Sequence, residues 1–212
     1  MLGAACGGSD SPEPAGELTI AFLDVAQGDA TLITVDGQRL LVDGGRSTDR
    51  IEERLTALGV EDIDAVVSTH PDADHIAGLA HVLKRYEVED IYLGGGTSES
   101  ETFDEWMALV QDEGADIVTA RRGDTIPLGG LELNVLHPTG ITGDSNADSV
   151  VLELACGAVD VLLMGDATSE SERSMLDAGV IRDTDVLKVG HHRLGDVDQP
   201  GVPRRLPRRS TR

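Results

Sequence analysis

The sequence predicts an α+β sandwich of four layers, helix–sheet–sheet–helix (αββα), and three observations carry that expectation. The chain has 212 residues, a length that suits one domain or a tight two-lobed unit. Forty per cent of them are hydrophobic, enough to build a core and too many for a disordered acidic polymer. Short β-rich runs alternate with amphipathic helices in both halves, so helices outside a two-sheet sandwich fit better than an all-β domain.

The elements follow in order. Leu18–Asp24, Ala30–Val35 and Arg39–Asp43 are β-rich runs, and Asp36-Gly37 between the last two is a strong hairpin signal. Ser47 or Thr48 caps a helix over Arg50–Leu58, with Ile51, Leu55 and Leu58 at helical spacing and Gly59 to stop it. Ile63–Thr69 reads as a buried strand, Ile76–Tyr86 as a helix, Asp90–Leu93 as a strand and Thr102–Gln111 as a helix. In that last helix Phe103, Trp106, Met107 and Val110 form an apolar stripe directed at the core. Strands are predicted at Asp116–Thr119, Leu131–Leu136, Val150–Leu154 and Val159–Met164. A helix over Glu170–Ala178 and a strand at Asp185–Val189 complete the pattern. Arg122-Gly123-Asp124 spells an adhesion tripeptide, which a hairpin turn explains without function.

Charge and composition narrow the function. The net charge is −22, and such a surface repels phosphate backbones unless cations intervene. One Trp, two Tyr and two Phe are too few to build stacking platforms for single-stranded nucleic acid. No run approaches the roughly 18 apolar residues of a spanning helix. Residues 1–17 are Gly-, Pro- and Ser-rich and read as a flexible leader. Within it Leu2–Cys6 is similar to a lipobox, which would lipidate Cys6 and anchor an extracytoplasmic protein to a membrane. Gly3 stands where Leu is preferred and a full signal peptide is missing, so Cys6 as an ordinary tail cysteine of a cytoplasmic protein is the alternative. Residues 193–212 hold six Arg, two Asp and no periodicity. This irregular basic tail reads as a frame shift or truncation, with a disordered tail or a nucleic-acid or membrane contact as alternatives.

The chemistry concentrates in Ser68-Thr69-His70-Pro71-Asp72-Ala73-Asp74-His75, between a buried strand and a helix. Two imidazoles and two carboxylates converge in one turn. These are ligands that zinc and manganese favour, and a metal would neutralise the repulsion between Asp72 and Asp74. The bland alternative is a polar capping loop, with Asp74 capping the helix and His70 exposed.

This H-x-D-x-D-H pattern resembles the metal signature of the metallo-β-lactamase superfamily, and within it the hydrolase-like domain of ComEC-type competence proteins. Further blocks agree in order: Phe22–Ala30, with Ala26 where Gly is usual; Leu41-Val42-Asp43-Gly44-Gly45; Asn146–Leu152, with Asp148 in place of a second Asn; Leu162–Asp166; and Leu187–His192. The resemblance covers about residues 18–192, and the usual Gly-Ser after His192 is replaced by Arg193-Leu194.

The resemblance implies a two-metal site holding Zn or Mn. His70 and Asp72 would bind one ion, Asp74 and His75 the second, and Asp166 would bridge them. His191, favoured over His192, would complete the second site, and Asp43 would lie in or beside the ligand shell orienting a histidine. Without the resemblance Asp43 is a turn residue. The first site lacks an obvious third ligand, for which His137, Asn146 and Asp148 are candidates. Two such ions, roughly 3.5–4 Å apart, would hold a bridging hydroxide at neutral pH, which Asp74 could aim as the catalytic carboxylate. The expectation is a binuclear metal-dependent hydrolase acting on a small or flexible phosphodiester, DNA included, with no protein partner. Carboxylic esters or lactones as substrates, and a non-catalytic or inactive truncated metal-binding module, are the alternatives. Gly94-Gly95-Gly96-Thr97 lacks the Gly-Lys-Ser/Thr ending of a phosphate cradle and reads as a mobile loop near the site.

Overall fold

The computed structural model describes residues 1–5 and 17–190. Strands β1 (Leu2–Ala5), β2 (Glu17–Phe22), β3 (Thr31–Val35), β4 (Gln38–Val42), β5 (Ala65–Ser68), β6 (Asp90–Leu93) and β7 (Asp116–Thr119) form one sheet in that order. β1 to β4 are antiparallel and β4 to β7 parallel. Parallel neighbours need crossovers, which α1 (Thr48–Ala57), α2 (Ala73–Leu83) and α3 (Glu101–Asp112) supply. The second sheet has the order β12-β11-β10-β9-β8, from β8 (Thr125–Leu128), β9 (Leu131–His137), β10 (Val151–Cys156), β11 (Val159–Leu163) and β12 (Val186–Lys188). Helix α4 (Ser169–Asp177) joins its last two strands.

Side-chain alternation sorts the apolar residues into layers. Ile33, Val35, Leu40, Val42 and Val67 point at the second sheet and meet Leu133, Val135, Leu152, Leu154 and Val161 there. The intervening Leu32, Leu41, Val66 and Ile91 point the other way, onto Ile51, Leu55, Leu79 and Trp106 of the helices. Leu136, Val151, Leu162 and Met164 on the far face of the second sheet receive Met175 of α4. The central strands of both sheets are therefore covered on both faces, which explains why they read as continuous apolar runs, whereas β7 at the edge is exposed. The four-layer αββα sandwich is present.

Local chemistry sets the boundaries. Asp36 and Gly37 turn the β3–β4 hairpin with φ of 51° and 89°, the pair of positive values that a type I′ turn demands. Ser47, Ser100 and Thr168 cap α1, α3 and α4, each accepting a backbone N–H from three residues on. At α2 the N-cap is Asp72, whose side chain makes no capping bond.

Three features depart from the sequence reading. Residues 2–5, assigned by composition to a leader, pair with β2 from Leu2↔Ile20 to Ala5↔Glu17, because backbone pairing asks nothing of small side chains. β8, interrupted by Pro127, pairs with β9 although its sequence gave no strand signal. The turn at Arg122–Asp124 closes no hairpin; it carries the chain from β7 in one sheet to β8 in the other. No helix among the described residues is long and apolar enough to cross a membrane.

Candidate metal centre

Parallel pairing of β4 with β5 sets two loops side by side at the carboxyl ends of the strands, the usual place for a site in such sheets. One loop carries Asp43, whose N–H donates to Val67 O at 2.9 Å. The other is the Thr69–His75 turn. Glycines make this closeness possible: Gly44 N donates to His75 O, and Gly78 N of α2 donates to Gly45 O. A Cβ on Gly78 would stand 1.9 Å from Gly44 O, so no other residue fits without movement. Asp166 arrives from the second sheet, just beyond β11, with its N–H donating to Ser149 Oγ at 3.3 Å.

The structure brings His70, His75 and Asp166 together. One ligand atom from each lies within 4.8 Å of the others, and all three residues are buried. The imidazole centroids are 4.0 Å apart, and His75 Nε2 is 3.6 Å from Asp166 Oδ2. Asp72, uncommitted to capping, has Oδ2 3.7 Å from His70 Nε2. Asp74, in the first turn of α2, accepts a hydrogen bond from Gln27 Nε2 at 3.4 Å.

Asp43 orients both rings. It is 1 % exposed and sits at a φ of 58°, a conformation that Asp tolerates better than most residues. Its Oδ2 accepts from His75 Nδ1 at 2.8 Å and from Thr69 Oγ1 at 2.7 Å, and its Oδ1 accepts from Thr69 N at 2.9 Å. Thr69 Oγ1 has spent its proton on Asp43, so at 3.1 Å it accepts from His70 Nδ1. One carboxylate thereby holds the proton of each imidazole on Nδ1 and leaves Nε2 of each as the donor atom for a ligand. His70 Nε2 is buried without a hydrogen-bond partner. An orphaned imidazole nitrogen beside a second imidazole and a carboxylate is a donor set that fits a divalent ion such as zinc or manganese.

The electrostatics separate the two rings. Burial, reinforced by the neighbouring His75, lowers the pKa of His70 and favours its neutral form. Burial also pushes His75 down, but the Asp43 charge and hydrogen bonds with Asp166 and Asp43 outweigh it and hold His75 up at about 10, so at neutral pH Nε2 of this ring carries a second proton that an incoming ion would displace.

Two of the other candidates, Asp148 and His137, are committed to other contacts. Asp148 is buried, but its carboxylate is occupied by Thr142 N and Gly143 N at 2.9 Å and by Thr142 Oγ1 at 2.8 Å, bracing the 142–148 loop. Asn146 belongs to the same loop, its carbonyl accepting from Ser149 N. His137 donates from Nε2 to Ala147 O at 2.7 Å, and burial lowers its pKa. Neither Asp148 nor His137 joins the cluster of His70, His75 and Asp166. Cys6, His191 and His192 lie outside the described residues. The Gly94–Thr97 loop borders His70 across a cavity of about 160 Å³, with Pro71, Phe103, Trp106 and Met107 on its other walls. Reading the motif alone misses Gln27 and the part played by Thr69, because both act through hydrogen bonds that only the fold creates.

Comparison with known proteins identifies the family. A family model described as the metallo-beta-lactamase superfamily matches residues 23–199. The chain belongs to that superfamily. Its curated relatives are ComEC-type competence proteins. ComE operon protein 3 of Bacillus subtilis is 28 % identical over 194 residues, which is 82 % of this chain and 25 % of that protein. Recombination protein 2 of Haemophilus influenzae is 30 % identical over 177 residues, 80 % of this chain and 21 % of that protein. The chain thus spans a quarter or less of the length of these two relatives. Among solved structures, the class B3 di-zinc metallo-beta-lactamase LRA-12 from an Alaskan soil metagenome has a TM-score of 0.59. It is 17 % identical, with 85 % of this chain and 82 % of that one covered. The metallo-beta-lactamase SMB-1 has a TM-score of 0.56 at 16 % identity, with 79 % and 75 % covered. At such identities the likeness establishes the superfamily fold alone.

In this superfamily member Ala26 has a φ of 68°, a left-handed conformation that glycine adopts more readily than alanine.

Proposed function

We propose that the chain is a binuclear metal-dependent hydrolase that cleaves phosphodiester bonds, DNA strands among its substrates. The observation that carries this reading is the meeting of His70, His75 and Asp166 around a buried, unpartnered His70 Nε2. His70 and Asp72 would hold one ion, Asp74 and His75 the other, with Asp166 between them. When bound, the ions would supply a water whose pKa is lowered toward about 7 and would polarise the electrophilic oxygen. The protein's part is positional. Asp43 keeps both imidazoles presenting Nε2, and Asp74, steadied by Gln27, accepts a hydrogen bond from the attacking water and aims it. A net charge of −22 opposes tight binding of a duplex and favours a small or flexible substrate. The competence proteins among its relatives support nucleic acid as the substrate class.

The test is hydrolysis of bis(p-nitrophenyl) phosphate by purified protein loaded with Mn²⁺ or Zn²⁺. Turnover should fall to background in His70→Ala and after chelation. Two equivalents of bound metal without turnover of any ester would make the chain a binding module. Turnover of carboxylic esters or lactones alone would keep the hydrolase and change the substrate class.

A further inference from the structure

The two halves of the metal centre come from different sheets, which raises the question of what fixes their separation. His70, Asp72, Asp74 and His75 belong to the β5–α2 turn of the first sheet, and Asp166 to the turn after β11 of the second. Each half is backed by a segment, and the ion pair that joins the two segments has no part in the proposed mechanism.

Behind the first half runs the Gln27–Asp29 loop. Gly28, at a φ of 98°, lies so close to α2 that a Cβ would stand 1.7 Å from Asp74 O. Gln27 Nε2 donates to the Asp74 carboxylate, and Asp29 O accepts from Gly45 N at 2.8 Å. A shift of this loop therefore moves Asp74. Behind the second half runs the end of β12. Lys188 O accepts from Met164 N at 3.2 Å, and a Cβ on Gly190 would approach Gly165 O at 3.0 Å and Ala167 O at 3.1 Å. A shift of residues 188–190 therefore moves the turn that carries Asp166.

Lys188 Nζ reaches across from the second segment and pairs with the Asp29 carboxylate of the first, 159 positions away in sequence. We infer that the Lys188–Asp29 ion pair is a clasp that positions the two halves of the metal centre relative to each other. The inference rests on the metal-centre reading above.

Three observations distinguish the clasp from an ordinary surface pair. Its side chains are only 21 % and 10 % exposed, so solvent screens it less than the exposed pairs whose contribution is near zero. With Asp43, Thr69 and Gly165 it lines a cavity of about 10 Å³, which places it directly behind the residues that orient both histidines. β12 itself is a three-residue strand at the edge of its sheet among the described residues; Val186 packs against the core, but Leu187 is 39 % exposed and Val189, just beyond the strand, 65 % exposed.

The experiment is an Mn²⁺ titration of the wild type, Lys188→Met, Asp29→Asn, the double variant and Lys188→Arg, with Co²⁺ absorption spectra of each. Each single loss should weaken ion binding about tenfold, the lower end of what residues supporting metal ligands contribute. The double variant should be no weaker than the worse single, Lys188→Arg should recover most of the affinity, and the Co²⁺ ligand-field bands should shift in Lys188→Met. Unchanged affinity and spectra with only a lower melting temperature, or losses that add in the double variant, would overturn the clasp. Should Lys188→Met fail to fold, the isosteric Asp29→Asn carries the same comparison. A wild type that takes up no metal defeats the metal-centre reading itself, whereas metal-loaded variants indistinguishable from wild type defeat the clasp alone.

Discussion

At Asp43 one buried carboxylate accepts from Thr69 N, Thr69 Oγ1 and His75 Nδ1, and through the Thr69 hydroxyl it also governs His70. Single substitutions can separate these effects. Asp43→Asn keeps a residue that tolerates the positive φ, yet it removes the charge that both rings lean on. Ion affinity should fall roughly 10- to 100-fold, as for other groups that orient metal ligands. Thr69→Val keeps the His75–Asp43 bond and the Asp43 charge while removing the link to His70 and one of the donors to Asp43, so its loss should be smaller. Chelator-competition titrations of the two variants check the order. Ala26 offers the opposite kind of prediction. A left-handed conformation costs a non-glycine residue roughly 1–2 kcal/mol, part of which glycine returns through its freer unfolded chain. Ala26→Gly should therefore stabilise the protein by up to about 1 kcal/mol, read as a rise in denaturation midpoint without a change in slope.

Among the elements, the β6–β7 edge carries a defect that can be measured. Asp90 and Asp116 stand opposite each other in the parallel ladder. Partial burial first, and then the Asp116 charge, raise the Asp90 carboxyl above its ordinary value. A folded-state acid with a raised pKa binds its proton more readily than the unfolded chain does. Its charge therefore costs stability at neutral pH, and that cost disappears as pH falls through the raised pKa. Asp116→Asn removes the facing charge and should stabilise the protein at pH 7 by about 0.2–1 kcal/mol, the range for cross-strand pairs. Thermal melts at neutral pH and in the acid range of Asp90 should show the advantage shrinking with acidification. At α2 the N-cap Asp72 makes no side-chain capping bond, unlike the caps of α1, α3 and α4. The helix start forgoes a local stabilising contact and keeps that carboxylate near His70 Nε2.

For the whole molecule, ions held between ligands from both sheets would bind the folded chain and not the unfolded one. Free metal at a hundred times its dissociation constant adds about 2.7 kcal/mol, so chelation should lower the melting temperature by roughly 5–10 °C at this size. Scanning calorimetry with and without chelator decides it. Much of this architecture is legible in one dimension. Leu40, Leu41 and Val42 form an apolar run because each face of the sheet meets a covered layer, and Asp36-Gly37 announces its turn through positive φ. The H-x-D-x-D-H turn is equally visible because its ligand-type side chains are neighbours in sequence. β1 and β8 were not legible, since backbone pairing supplied by a partner strand leaves little mark on the strand's own composition. His137 and Asp148 carried the right chemistry for ligands, but the fold directs them to Ala147 O and to the 142–143 backbone. What the sequence determined by itself was therefore the local and the periodic: layers, caps, turns and the short histidine–aspartate turn, each set by interactions a few residues in range. Only the tertiary structure decided that Asp43 would govern two imidazoles and that Asp166 would face His75. It alone decided that Lys188 would reach Asp29, because hydrogen bonds and ion pairs depend on distances that chain separation does not encode.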